Sequence, residues 1–199
     1  MRRFLLGCAV MTALLVALAT PARADQVTFT ISSGNTAISG YPGPYATVTV
    51  DLTSSTTATI TFTSLGTYTL GQQGAADVNV NASSFSYSII TPSGLTSGGS
   101  GNVDGFGTFN QTFNLTGSGT GVTTISFTLT NTGGTWASAS SVLTPNSDGY
   151  AVAAHILTFN SDGSAGPTGY ATVPEPMSLT LLGTGLLLAG LYRRRFFKA

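Results

Sequence analysis

The strongest constraint on this fold is a two-residue alternation of apolar and hydroxyl side chains. In the segment 58–62 the residues Ala58, Ile60 and Phe62 alternate with two threonines. This period places the apolar side chains on one face of a β-strand and the threonines on the other. Such a strand has one buried face and one wet face. The alternation occurs in the segments 27–31, 46–52, 57–63, 85–89 and 125–130.

Further strands and their separators complete the domain. Segments rich in Gly, Pro, Asn and Asp, such as the glycine run 98–101, separate the strand candidates, and no segment shows a helical period. Short strands at this spacing predict an all-β, antiparallel β-sandwich that is jelly-roll-like, over residues 25–160. The Gly- and Ser-rich residues 161–173 are predicted to form a flexible spacer. The less regular strand candidates are 67–70, 77–81, 106–115 and 150–159.

The charges of this chain are segregated. All seven basic residues lie in the two terminal segments, and residues 25–173 contain no Lys, Arg, Glu or Cys. Six aspartates therefore give this central segment a side-chain charge of minus six. A domain without a side-chain cation cannot bind nucleic acid through phosphate contacts, nor can it hold an anionic substrate with a bidentate arginine. We expect no nucleic-acid partner.

The N-terminal residues 1–24 form a targeting segment. Two arginines precede an apolar run, and small residues occupy Ala22 and Ala24. This order is typical of a secretory signal peptide, helical in its apolar run, that is cleaved after Ala24. The expected partners at this stage are the Sec translocon and signal peptidase.

The C-terminal residues 174–199 also read as a sorting or anchor segment. Val173-Pro174-Glu175-Pro176 is stiff and extended, because each proline fixes its own φ and restricts the residue before it. A charge-free run of 16 residues follows, which is short against the roughly 20 of a bilayer span. Basic side chains at Arg193, Arg194 and Arg195 can extend it by snorkelling. The segment predicts a transmembrane helix with a cytoplasmic C-terminus, and a plain anchor helix remains an alternative.

Residues 173–195 resemble the PEP-CTERM sorting signal of Gram-negative bacteria. The resemblance rests on Pro174, Glu175 and Pro176, on the glycine- and leucine-rich run, and on the arginine cluster. It implies recognition by an exosortase, a transient stay in the inner membrane, and delivery to the cell surface or the exopolysaccharide matrix. The rather apolar Met177 departs from the usual small or polar residue after the motif.

Candidate sites within the domain have ordinary structural alternatives. Asp148 and Asp162 belong to a repeated Asn-Ser-Asp-Gly tetrapeptide and are candidate calcium ligands. Asp-Gly is also typical of tight turns, which is the favoured interpretation. His155, the only histidine, lies in a predicted strand, where a structural role is favoured over a catalytic triad. The threonine segments favour an exposed sheet face over an ice-binding ladder, because they share no common period.

These observations favour an exported surface or matrix protein with a non-enzymatic, structural or adhesive role. A lectin-like carbohydrate-binding module, with or without calcium, is the alternative, and a secreted hydrolase is less favoured. No cofactor is expected beyond that calcium ion, and extracellular polysaccharide is the expected partner of the domain.

Overall fold

A computed structural model describes residues 25–117, 119 and 121–174. Two short 3₁₀ helices, Thr36–Ile38 and Ala139–Ser141, accompany the strands. Among these residues no helix has the length and hydropathy needed to cross a membrane. The predicted signal helix with Ala22 and Ala24 lies outside the described residues, as do Glu175, Pro176 and the transmembrane segment with Arg193, Arg194 and Arg195. The strands are β1 (Asp25–Ile31), β2 (Ser33–Gly34), β3 (Ala46–Ser54), β4 (Thr57–Ser64), β5 (Thr69–Leu70), β6 (Gln72–Val78), β7 (Phe85–Thr91), β8 (Leu95–Val103), β9 (Gly107–Leu115), β10 (Thr124–Asn131), β11 (Val152–Phe159) and β12 (Ala165–Thr172).

The strands form two antiparallel sheets. The first sheet has the order β1-β3-β4-β10-β7, and the second has the order β2-β12-β11-β6-β9-β8, with β5 also pairing with β11. The consecutive pairs β3–β4, β8–β9 and β11–β12 are hairpins within one sheet. All five regular alternations correspond to strands, so the prediction of an all-β, antiparallel domain is confirmed.

The core lies between the two sheets. Phe62 and Phe127 from the first sheet and Phe113 from the second are fully buried. The rings of Phe113 and Phe127 meet across the sheets with centroids 4.2 Å apart, and Phe62 stacks on Phe127 at 6.3 Å. Burying one such side chain contributes about 1.5–3 kcal/mol. These aromatic contacts hold the two sheets face to face.

The outer face of the first sheet carries threonine and serine. Register places Thr28 beside Thr49, Thr49 beside Thr61, and Thr61 beside Ser126. Hydroxyl pairs along this row are 3.3 Å apart at Thr28–Thr49 and 3.0 Å apart at Thr61–Ser126. The threonines are exposed or partly exposed, so the interpretation of the threonine segments as an exposed sheet face is confirmed. We call this surface the threonine face.

The prediction of a flexible spacer over 161–173 is wrong for residues 165–172, which form β12. This strand pairs with β11 along most of its length, and Ala171 and Thr172 are buried. Its composition hides the strand, because Gly166, Pro167 and Gly169 lie in it. The residues Tyr170 and Ala171 nevertheless face opposite sides of the sheet and contact different apolar clusters. The folded domain therefore extends to Thr172 rather than to residue 160.

The glycine run 98–101 is also a strand and not a separator. It belongs to β8, which passes so close to β9 that side chains have no room. A Cβ at Gly98 would lie 2.5 Å from Thr112 Oγ1, and one at Gly101 would lie 3.1 Å from Thr112 Cγ2. The glycines are required by this close approach of the two strands.

Replacing Phe127 with alanine tests the packing between the sheets. We expect Phe127→Ala to lower the free energy of unfolding by about 3–5 kcal/mol, because it leaves a cavity among fully buried rings. Ile90→Ala is the matched control, since Ile90 is 58% exposed, and it should change stability by less than about 1 kcal/mol. Urea unfolding measures both. Equal losses in the two variants would contradict this packing.

Candidate binding pocket

The outer face of the second sheet is covered by part of its own chain. Val103, Phe106 and Phe109, at the end of the β8–β9 hairpin, pack against Ala153 of β11. Since β6 lies between β9 and β11, the hairpin end must fold over the sheet to make this contact. This cover explains why β11 is buried on both faces and lacks an alternating pattern.

A pocket of about 230 Å³ lies beside this apolar cover. It is smaller than the roughly 300–1,000 Å³ typical of pockets for drug-sized ligands, so its size suits an ion or a small polar molecule. Its walls come from β6, β8, β9 and β12. The lining residues are Gln73, Gly74, Asp77, Gly98, Gly101, Asn102, Val103, Thr112, Asn114 and Tyr170.

Asp77 contributes a buried acid to this pocket. It pairs in register with Ala153 on one side and Thr112 on the other. Its neighbours Ala76 and Val78 point into the core, so the pleat turns Asp77 to the outer face. The residue is fully buried, and neither carboxylate oxygen has a hydrogen-bond partner among the described residues. Burial raises the pKa of this carboxyl well above its ordinary value of 3.8.

A bulge within β6, where its register with β9 shifts between Gln72 and Ala76, brings the backbone close to Asp77. Gly74 has φ +66°, and a Cβ there would lie 2.9 Å from both Asp77 Oδ2 and Tyr170 Cε1. Only glycine fits this conformation and this space. The Gly74 N–H donates to Asn114 Oδ1 at 2.9 Å, which ties the bulge to β9. The acid and the tyrosine therefore meet over one glycine.

His155 and Tyr170 form a second part of the site. They are paired across β11 and β12, and their rings stack at 4.6 Å with an angle of 19°. The Tyr170 hydroxyl donates to the carbonyl of Gln73 at 3.0 Å. Burial lowers the pKa of His155 from its ordinary value of 6.5, and Nδ1 makes no hydrogen bond to any described residue. The stacked, buried ring supports the structural interpretation of His155; the catalytic hypothesis stays a prediction.

The candidate calcium ligands Asp148 and Asp162 are not brought together. They lie in turns at opposite ends of β11, an eight-residue strand, and so are separated by about 25 Å at 3.3 Å per residue. Asp162 Oδ1 accepts bonds from the Ser164 N–H at 2.9 Å and the Ser164 hydroxyl at 2.6 Å. The Asp148 N–H donates to Asn146 Oδ1 at 3.0 Å. The turn interpretation is confirmed for both, and calcium binding at either turn stays a prediction.

A metal centre rich in ionisable ligands is not seen in the described part of the chain, where no three His, Cys, Asp or Glu side chains cluster. Any cation bound there would need neutral oxygen ligands as well as a single carboxylate. Asp77 and its amide and hydroxyl neighbours supply such a set of oxygen ligands in one pocket. The turns of Asp148 and Asp162 do not, because they lie at opposite ends of β11.

The first two sorting-motif residues follow the domain directly. Val173 comes immediately after β12 and packs partly against the core, and Pro174 is the next residue. Glu175 and Pro176 lie outside the described residues. Val173 and Pro174 therefore lie directly after the end of β12, a strand of the second sheet.

Sequence reasoning missed Asp77. It lies in Ala75-Ala76-Asp77-Val78, where one acid interrupts small and apolar residues. Its burial depends on a hairpin that folds over the sheet, which local periodicity does not reveal. A signal was nevertheless present, because an acid among core residues in a segment without Lys or Arg has no internal counter-charge.

No protein family model, curated protein or solved structure matches this chain. The chemistry of the pocket is therefore the evidence for what it can bind. That chemistry is one buried carboxylate, several amide and hydroxyl groups, and a tyrosine ring.

Replacing Asp77 with asparagine tests the buried charge. As pH rises above 3.8, the unfolded chain releases this proton while the folded chain retains it, so wild-type stability should decline up to the raised folded pKa. Asp77→Asn should lose that decline. Urea unfolding from pH 4 to 8 in a metal chelator measures the difference. His155, Tyr170 and Asp104 are present in both proteins, so the difference between the two curves reports the removal of the Asp77 carboxyl. Parallel stability curves for the two proteins would contradict the burial of a charge at Asp77.

Proposed function

We propose that this chain is an exported bacterial surface or exopolysaccharide-matrix protein, sorted through its C-terminal PEP-CTERM-like segment. In this proposal the Sec translocon and signal peptidase export it, and an exosortase recognises Val173-Pro174-Glu175-Pro176 while the chain is held in the inner membrane. The β-domain has a structural or adhesive role and no enzymatic activity.

The single observation that best supports sorting at this site is the position of Pro174. The last strand ends at Thr172, so one residue separates the folded domain from the first proline of the motif. The prolines stiffen the segment that leaves the domain. A membrane-embedded enzyme would then meet a rigid, extended peptide held against the base of a folded domain.

The threonine face supports an adhesive role. Its hydroxyl groups lie in cross-strand rows, with neighbouring strands about 4.8 Å apart, and the segment 25–173 contributes no basic side chain to it. Such a surface offers many weak hydrogen-bond donors and acceptors and one carboxylate, Asp51, which lies on the same side of β3 as Thr49. Polysaccharide hydroxyls match it, whereas phosphates do not.

Cell fractionation with and without the exosortase tests the sorting proposal. We expect the chain to reach the surface or medium only when the exosortase is present. Replacing Pro174 and Glu175 with alanine should leave it in the inner membrane. Asp148→Asn, which alters an exposed turn, is the matched control and should be sorted normally. Retention of the wild-type chain in the inner membrane in both strains would contradict sorting.

A carbohydrate-binding module is the second candidate, because the pocket supplies a specific site for it. The amides of Gln73, Asn102 and Asn114, the Thr112 hydroxyl and the Tyr170 ring line one small cavity. Sugar sites commonly combine such hydrogen-bonding groups with an aromatic ring. The jelly-roll likeness stays a prediction: three hairpins within single sheets give it no support.

Binding to a glycan array tests this second candidate. If the pocket holds a sugar, Asn102→Ala should weaken binding at least about tenfold, since loss of a hydrogen-bonding group in a fitted site costs about 1.4 kcal/mol or more. Ser161→Ala, in the exposed turn after β11, is the control and should bind as the wild type does. Silence of the wild-type protein on a broad array would rule out this candidate.

A further inference from the structure

Asp77 is an acidic residue that lacks a partner among its described neighbours. Asp77 is fully buried, and neither carboxylate oxygen is hydrogen-bonded within the part of the chain that the structure describes. Burying a carboxylate without a partner is expensive, so proteins pair it, protonate it or give it a metal ion. The segment 25–173 contains no Lys or Arg. The one side chain nearby that can become positive is His155, whose ring is itself buried and stacked on Tyr170.

The groups around Asp77 are oxygen donors. Thr112, the register neighbour of Asp77, donates its hydroxyl hydrogen to the Gly99 carbonyl at 3.1 Å. That bond leaves the Thr112 oxygen lone pairs free. Gln73 and Asn102 bring amide oxygens to the same pocket. A single carboxylate with neutral oxygens is the donor set of a hard cation.

The glycines of the pocket keep this space open. A Cβ at Gly74 would fall 2.9 Å from Asp77 Oδ2, and a Cβ at Gly98 would fall 2.5 Å from Thr112 Oγ1. Side chains at these positions would therefore fill the space next to the two oxygens. The backbone on both sides of the pocket thus leaves room next to its polar groups.

We propose that Asp77 and the oxygen groups of the pocket above it form a calcium-binding site. Calcium accepts carboxylate, amide and hydroxyl oxygens in flexible geometry, whereas magnesium demands a near-ideal octahedron at 2.0–2.1 Å. The irregular bulge at β6 and the register shifts in β8 suit the flexible ion. This proposal shares its pocket with the carbohydrate candidate but does not depend on it, because the ion can bind without a sugar.

The charge of the site sets its affinity. Only one carboxylate lies in the pocket, and sites with few charged ligands in extracellular modules bind calcium at about 10⁻⁴–10⁻³ M. Such a site would be filled outside the cell and not in the cytoplasm. The ion would neutralise Asp77 and cross-link β6 to its neighbouring strands after export.

Calcium titration of the purified chain, with no sugar present, tests the proposal. We expect one ion per chain by isothermal titration and a melting temperature several degrees higher at ten times the dissociation constant. Asp77→Asn should abolish this shift and bind calcium at least tenfold more weakly. Asn102→Ala, at the exposed rim, should weaken binding without altering the chelated protein, which keeps the test valid if Asp77→Asn folds poorly.

Asp148→Asn combined with Asp162→Asn is the matched control and should bind calcium as the wild type does. Loss of binding in this control, with retention in Asp77→Asn, would overturn the proposal in favour of the turns. Absence of a heat signal and of a thermal shift in the wild type at 10 mM calcium would also overturn it, and would leave Asp77 as a protonated acid. A glycan array that stays silent while calcium binds would refute the carbohydrate candidate alone.

Discussion

Stacking of the two sheets across Phe62, Phe113 and Phe127 is the contact on which the rest of the structure depends. The rings of Phe113 and Phe127 lie 4.2 Å apart and are fully buried. Each sheet buries one face in this contact, and its other face is either exposed to water or covered by another part of the chain. The first sheet exposes threonine and serine to water. The second sheet covers its outer face with the end of its own β8–β9 hairpin, and the pocket forms beside that cover.

Charge is the second constraint. A domain without Lys or Arg must obtain its solubility from hydroxyl and amide groups and must place its acids where no cation is required. Asp148 and Asp162 meet this condition in turns, where hydrogen bonds from Ser147 and Ser164 reach their carboxylates. Asp77 does not meet it, since both of its carboxylate oxygens are buried and neither is hydrogen-bonded to a described residue, whereas at Asp51 this holds for Oδ1 alone. This exception singles out the pocket as a site for something from outside the chain.

The sequence predicted the parts of the fold that obey local rules. Strands with one wet face, such as β4, alternate clearly and were predicted within a residue or two. The strands β8 and β12 were missed because tertiary contacts set their composition: β8 is rich in glycine where it passes close to Thr112, and β12 contains Gly166, Pro167 and Gly169. The two-residue strand β2 was also missed, and β6 (Gln72–Val78) overlaps the predicted segment 77–81 by only two residues. The strand β11 was predicted without a clear period, because one of its faces lies in the core between the sheets and the hairpin end packs on the other at Ala153.

The candidate site was less predictable than the fold. Turn chemistry correctly described the positions of Asp148 and Asp162. The importance of Asp77 could not be read from spacing, because the other residues that line its pocket come from β8, β9 and β12 as well as β6, far apart in the chain. Sorting, by contrast, is encoded in contiguous residues, so the sequence alone supports that proposal.

Neutralisation of the Asp77 carboxylate by a calcium ion should change the pH at which this carboxyl group titrates. Carbon-13 NMR of the aspartate carboxyl groups, titrated with pH in chelator and again in excess calcium, measures this directly. We expect calcium to move the titration of the Asp77 carboxyl group to distinctly lower pH and to leave the titration of Asp162 unchanged. An Asp77 titration at the same pH with and without calcium would contradict it.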